Sequence, residues 1–203
     1  MAGTRSGKLF LDSTVFFMCD MQEDFRRFIA YFPDITTVAK RMVDSAKILD
    51  IPVLATEHNP QGPLGPTVED IDTSFFKNYI FPKHTLSMLG CEGFANKFHK
   101  MSKNVKAVVL FGVMADICIF NTSLDLVDEG FDVHVVADGV SSKHNCERMI
   151  ALERLRQSGV FVSTSKSILL HLMKDTSLPF YEEVRLLANN APPDQGLINA
   201  LGQ

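Results

Sequence analysis

The chain has 203 residues, 46% of them hydrophobic, which is enough to bury one full core and too few for two ordinary domains. Its 20 basic and 24 acidic residues leave a net charge of −4. No basic stripe of the kind that phosphate-backbone binding requires is present, so nucleic acid is a poor fit as partner. No run approaches the roughly 18 apolar residues of a membrane span, and the first apolar run is interrupted at Asp12, Ser13 and Thr14, which leaves no secretory h-region.

Residues 1–8 read as an untethered start. Gly3 to Lys8 has the flavour of a phosphate loop, but its spacing is wrong and no strand precedes it. Residues 15–19 (VFFMC) are a near-continuous apolar run, the pattern of a strand buried on both faces of a parallel sheet, and they end at Asp20. Val38, Met42, Ala46 and Leu49 then recur at helical spacing, and residues 51–55 follow as a second short apolar run, completing a βαβ unit. Residues 59–66 (NPQGPLGP) carry three prolines and two glycines and read as a stiff, shaped loop.

Residues 79–82 suggest a very short strand just before Lys83, and Phe94, Phe98 and Met101 mark a helix face. Residues 107–111 are a third clear strand. Gly112 reads as a break, after which a helix restarts near Asp116, with Asp116 as N-cap, Ile117, Phe120, Leu124 and Val127 as its buried stripe, and Gly130 at its end. Residues 131–137 read as another strand; Cys146, Met149, Leu152 and Leu155 as a helix stopped at Gly159; residues 160–162 as the last strand. Residues 165–173 and 179–187 are short closing helices. From Asn189, with Pro192, Pro193 and Gly196, the tail reads as loop or as an arm on a neighbour.

Strands alternating with helices imply an α/β fold: a three-layer (αβα), Rossmann-like arrangement with a mainly parallel sheet of about six strands and right-handed crossovers. No repeat or linker divides the chain, so residues 1–203 are expected to form a single domain, with its core at about 10–190. Cys19, Cys91, Cys118 and Cys146 lack C-x-x-C spacing, and two of them lie in apolar runs. They read as reduced thiols of an intracellular, cytoplasmic protein rather than as a disulfide framework or zinc site.

Cys118 admits two readings. A free cysteine is often a small buried hydrophobe. In the first turn of a helix, however, backbone N–H groups and the helix dipole favour a thiolate, and a residue just past a parallel strand lies where ligands bind. Asp20 could simply cap or turn the chain, and Lys83 could be a solvated charge. All three fall at strand ends on one rim. A carboxylate there can take the thiol proton, an ammonium can stabilise the anions, and the thiolate can attack an electrophilic carbon.

The stretch Cys19-Asp20-Met21-Gln22-Glu23-Asp24-Phe25, then Lys83, then Gly112-Val113-Met114-Ala115-Asp116-Ile117-Cys118 with Asn121-Thr122 resembles the isochorismatase-like cysteine hydrolase family. Within it the likeness is greatest to the isochorismatase domain-containing proteins, the second type above all. Tyr31-Phe32-Pro33, Gly65-Pro66-Thr67-Val68 and Arg156-Gln157-Ser158-Gly159 extend it over most of the chain. The resemblance implies Asp20 as general base, Lys83 as the cation of a triad and Cys118 as nucleophile. It also implies a cis bond between Val113 and Met114, with the Met114 and Cys118 amides aimed at one oxyanion. Phe25, His58 and Asn121 are pocket candidates, with core packing the equal alternative for Phe25.

Departures from the family narrow the expectation. Nicotinamidases of this family hold a metal with an aspartate and histidines after the second strand, whereas this chain has Thr56-Glu57-His58-Asn59-Pro60. No metal and no other cofactor are expected, and His58 reads as a loop or pocket residue. Members that hydrolyse isochorismate protonate a vinyl ether and carry a small residue in place of the cysteine. Cys118 therefore fits acyl or C–N transfer through a thioester. The expected activity is a cysteine hydrolase, of amidase type, acting on a small amide or carbamoyl substrate. The alternatives are a binding or regulatory protein on the same fold, and a nuclease or RNA-binding role. A homo-oligomer is expected, with Phe28 to Phe32 and the C-terminal arm as contact candidates.

Overall fold

A computed structural model describes residues 6–190. Strands β1 (Thr14–Cys19), β2 (Val53–His58), β3 (Ile80–Lys83), β4 (Ala107–Val113), β5 (Asp132–Ser141) and β6 (Phe161–Ser163) pair in parallel throughout, in the order β3-β2-β1-β4-β5-β6. The helices are α1 (Phe32–Leu49), α2 (Glu92–Met101), α3 (Cys118–Asp128), α4 (Asn145–Gln157), α5 (Ser165–Met173) and α6 (Tyr181–Asn189). Helices α1, α5 and α6 cover one face of the sheet and α2, α3 and α4 the other. This is the expected three-layer α/β arrangement.

Because side chains alternate along a strand, a run apolar at every position supplies both layers. In β1, Phe16 and Met18 enter the core beneath α1, while Val15, Phe17 and Cys19 enter the core beneath α2 and α3. Phe17 is clamped edge-on between Phe94 and Phe98 of α2, with ring centroids 4.7 and 5.0 Å away. Each such pair contributes about 0.5–1.5 kcal/mol beyond plain burial.

The chain builds outward from β1 through β2 to β3, then crosses back to place β4 on the other side of β1. Connections leaving β1 and β4 diverge there, and the carboxyl ends of these central strands open a crevice. Asp20 follows β1 at that point, Lys83 closes β3 two strands away, and Cys118 opens the helix after β4.

Local readings differ in several places. Gly112 does not break β4, which runs on to Val113; the glycine stands at φ 119° because the strand passes so close to β1 that a side chain would collide with the Cys19 carbonyl. Asp116 does not cap α3. Ile117 holds that position, and the Asp116 carboxylate instead accepts a hydrogen bond from Ser142 at the end of β5. The buried face of α3 is Cys118, Ile119, Thr122, Ser123 and Leu126, whereas Ile117, Phe120, Leu124 and Val127 are only partly covered. On α4, Cys146 is exposed and Arg148 is buried, its guanidinium donating to the Val140 and Ala137 carbonyls of β5. Helix α6 runs through Asn189; the proposed tail arm beyond residue 190 and the first five residues of the start lie outside the described residues. Among the described residues no helix is long and apolar enough to cross a membrane.

Candidate active site

Asp20 leaves β1 at φ 51°, its amide bonded to the Thr56 carbonyl of β2 at 3.0 Å. That turn brings the carboxylate to the ends of the neighbouring strands β2 and β3. Oδ1 accepts the Thr56 hydroxyl at 2.7 Å, and Oδ2 accepts the Lys83 ammonium at 2.8 Å and the Cys19 thiol at 3.5 Å. Lys83 Nζ lies 3.4 Å from Cys118 Sγ. Exposure is 1% for Asp20, 1% for Lys83 and 6% for Cys118, so the three sit together almost out of water.

An ammonium has three protons. Around Lys83 Nζ stand Asp20 Oδ2, the Thr85 carbonyl at 3.0 Å, His58 Nδ1 at 3.2 Å and Cys118 Sγ, the most distant. Burial pulls the Lys83 pKa down, but the acidic groups of Cys19, Asp20 and Cys118 outweigh it and hold the ammonium above its ordinary value. Burial and the Lys83 charge hold His58 below its own. A neutral His58 facing a cation accepts through Nδ1, which puts its proton on Nε2.

The thiol of Cys118 is held below its ordinary pKa. The largest cause is the neighbouring Cys19 thiol, and the Lys83 charge adds to it, against the opposing effects of burial and the Asp20 charge. Cys19 moves the other way, well up, chiefly because it is fully buried. Cys118 is also the first residue of α3, so its amide has no partner within the helix and shares the positive end of the helix dipole. The Val113–Met114 peptide preceding this turn is cis.

Of the expected site residues, the structure brings Asp20, Lys83, Cys118 and His58 into one cluster, with Val113 and Met114 in the turn beside it. Phe25 packs into the core on the α1 side, edge-on to Phe28 at 5.3 Å. The Asn121 amide folds back onto the Ile117 carbonyl of its own helix at 2.8 Å. Glu57 points away from His58, as neighbours on a strand must, and its carboxylate accepts both the amide and the hydroxyl of Thr67 at 2.7 Å. The pair therefore does not converge on one cation. Among the described residues, one grouping of three or more His, Cys, Asp or Glu side chains falls within ligand range: Cys19, Asp20 and Cys118. The Lys83 ammonium already fills the place a cation would take there.

Sequence reasoning passed over several contributors. Gln22, fully buried, donates to the His58 carbonyl at 3.2 Å and to the Gly65 carbonyl at 2.6 Å, and accepts the His58 amide at 2.7 Å, so it holds the end of β2 to the proline-rich loop. A polar residue two places after Asp20, directly beyond the end of a buried strand, is the signal that could have found it. Thr122 bonds back to the Cys118 carbonyl at 2.6 Å and accepts the Met88 amide at 2.9 Å, pinning the first turn of α3. Cys19 reads in sequence as strand filler, because nothing local reveals that its sulfur comes beside that of Cys118.

A family model for the isochorismatase domain matches residues 14–167. Isochorismatase domain-containing protein 2 of Xenopus laevis is 44% identical over 195 residues, covering 96% of this chain and 93% of that protein. The human protein of the same name is 42% identical, covering 95% and 91%. Among solved structures, one described as the MAR1 ribonuclease of Caenorhabditis elegans superposes with a TM-score of 0.86 at 36% identity, covering 94% of this chain and 96% of that one. Matched over residues 14–167 by the family model and over nearly the whole chain by these relatives, the chain belongs to the isochorismatase-domain family, a family broadly of hydrolases.

Proposed function

We propose that this protein is a cysteine hydrolase that cleaves the C–N bond of a small amide or carbamoyl compound through a thioester on Cys118. The observation that carries the reading is the ammonium of Lys83 standing between a buried carboxylate and a buried thiol, at 2.8 and 3.4 Å. Asp20 takes the Cys118 proton, and the thiolate adds to the substrate carbonyl. The Met114 and Cys118 amides stabilise the oxyanion as it forms. Asp20 returns the proton to the departing nitrogen, which leaves as amine or ammonia. Asp20 then draws a proton from water, the hydroxide adds to the thioester, and the acid departs as Cys118 is restored. Lys83 balances each negative charge without itself exchanging a proton. No cofactor enters the scheme.

The test is ammonia release from a panel of small amides and carbamoyl compounds, with intact-mass detection of an acyl adduct. Wild type turns over at least one compound and forms the adduct, whereas Cys118→Ala does neither. Equal turnover by the two overturns the reading. A binding or regulatory protein on this fold would bind such compounds while Cys118 reacted no faster than an ordinary thiol.

The ribonuclease description of the Caenorhabditis elegans neighbour favours a second reading, RNA cleavage with Asp20 and His58 as acid–base groups. The net charge of −4 weighs against it. Salt-sensitive RNA cleavage that survives Cys118→Ala and is lost in His58→Ala would establish it over the thioester route. We also propose a homo-oligomer, supported by the exposed ring of Phe28, and a reducing, cytoplasmic setting, supported by four free thiols. Sedimentation of wild type against Phe28→Ser tests the first.

A further inference from the structure

The mechanism above leaves Cys19 without a chemical step, although it is a second thiol in the same cluster. Cys19 closes β1 and Cys118 opens α3 after the neighbouring β4, and both side chains lie in the core beneath α2 and α3. Their sulfurs, with an Asp20 oxygen, all fall within 4.8 Å of one another. A disulfide needs about 2.05 Å between sulfurs, so the closure required is less than about 3 Å, within reach of side-chain rotation at two χ1 bonds. The two thiols are also unlike. Cys118 is the more acidic and Cys19 keeps its proton, the division of labour of an attacking thiolate and a resolving thiol.

We propose that Cys19 and Cys118 form a reversible redox site, in which oxidation of Cys118 by a small hydroperoxide is captured as an internal disulfide. In the first step the Cys118 thiolate attacks one peroxide oxygen. The O–O bond breaks, Cys118 becomes a sulfenic acid, and hydroxide leaves; sulfur is oxidised by two electrons and the peroxide is reduced. In the second step the Cys19 sulfur attacks the Cys118 sulfur, the S–O bond breaks, and the Cys19 proton leaves with the hydroxyl as water. The disulfide withdraws the nucleophile but keeps it from the irreversible sulfinic acid, and a dithiol reductant restores both thiols. The exposed Cys146 and half-exposed Cys91 stand apart from this pair.

The inference rests on the proposed thiolate at Cys118, though not on any substrate. The full chain, reduced, is treated with equimolar hydrogen peroxide, its remaining thiols are alkylated, and its peptides are mapped by mass. The expected result is loss of two hydrogens with the Cys19 and Cys118 peptides linked, reversed by dithiothreitol. Cys19→Ala instead gains one and then two oxygens on Cys118. Wild type that gains oxygens on Cys118 with no linked peptide overturns the proposal, a result that needs no variant to fold. If iodoacetamide labels Cys118 rapidly at neutral pH and no linkage forms, the redox site fails while the nucleophile stands. A Cys118 inert to both reagents removes both.

Discussion

Replacing Lys83 with methionine keeps the aliphatic stem and deletes the ammonium. Asp20, 1% exposed, is then left as an unpaired buried carboxylate. Breaking one side of a buried pair costs about 3–5 kcal/mol. The Thr56 hydroxyl at 2.7 Å still donates to Asp20, so the loss belongs at the lower end, about 3 kcal/mol. With a urea m-value of about 2–3 kcal/mol/M, the midpoint falls by about 1 M. Adding Asp20→Asn removes the orphaned charge and recovers most of that loss. The folded-state pKa of Lys83 is raised, so its contribution is fully present below the unfolded value of about 10.4 and is lost only as pH climbs through the higher folded one. The difference between wild type and Lys83→Met is therefore flat from about pH 6 to 9 as far as Lys83 is concerned. Urea titrations of the three proteins decide it. A single variant within about 0.5 kcal/mol of wild type, or a double variant no more stable than the single one, refutes the electrostatic account.

Three further outcomes follow from other residues. Burial pushes the His134 imidazole down to about 4, so the unfolded chain takes up that proton first and stability falls as pH drops from about 6.5 towards 4. The loss is about 3 kcal/mol, and His134→Leu, which keeps contact with the Phe161 ring stacked 4.9 Å away, flattens that part of a urea-midpoint profile. Gly112→Ala adds a methyl against the Cys19 carbonyl at a φ of 119°, and lowers the melting temperature by roughly 10 °C through a loss of about 3 kcal/mol. Iodoacetamide labelling of Cys118 against pH has its midpoint below that of an ordinary thiol, and Cys19→Ala moves that midpoint up because the neighbouring Cys19 thiol is the largest cause of the depression. A midpoint unmoved by that substitution contradicts this role for Cys19.

The central sheet is legible in the sequence because residues 15–19 of β1 and the whole of β4 are near-continuous apolar runs, the pattern of a strand covered on both faces. The catalytic candidates are legible because Asp20, Lys83 and Cys118 each sit at or shortly after the end of a strand. Legibility fails where polar residues carry structure. Expected at residues 51–55, β2 instead extends to His58, since Thr56 and His58 are held by Asp20, Gln22 and Lys83 rather than by apolar burial. The inner face of α3 includes Thr122 and Ser123, which an apolar stripe excludes. Arg148 enters the core because β5 offers two carbonyls to bind it, which no periodicity reports. The proximity of Cys19 to Cys118 belongs to the tertiary structure alone.

The pairing of His58 with Lys83 at the end of the β2–β3 ladder bears on how the protein folds. Lys83 comes from a short edge strand that carries Pro82, and it reaches Asp20 only when β3, β2 and β1 are stacked in their native alignment. A slip of one residue would present Pro82 in its place and turn the lysine to the opposite face. Such a chain could keep its helices and much of its core. The contacts that join Asp20, Thr56, His58, Lys83 and Cys118 are thus distant in sequence, and they form late because each requires long loops to close. Rapid labelling of Cys118 during refolding would therefore mark the moment at which four strands have found their register, and serve as a chemical clock for completion of the sheet.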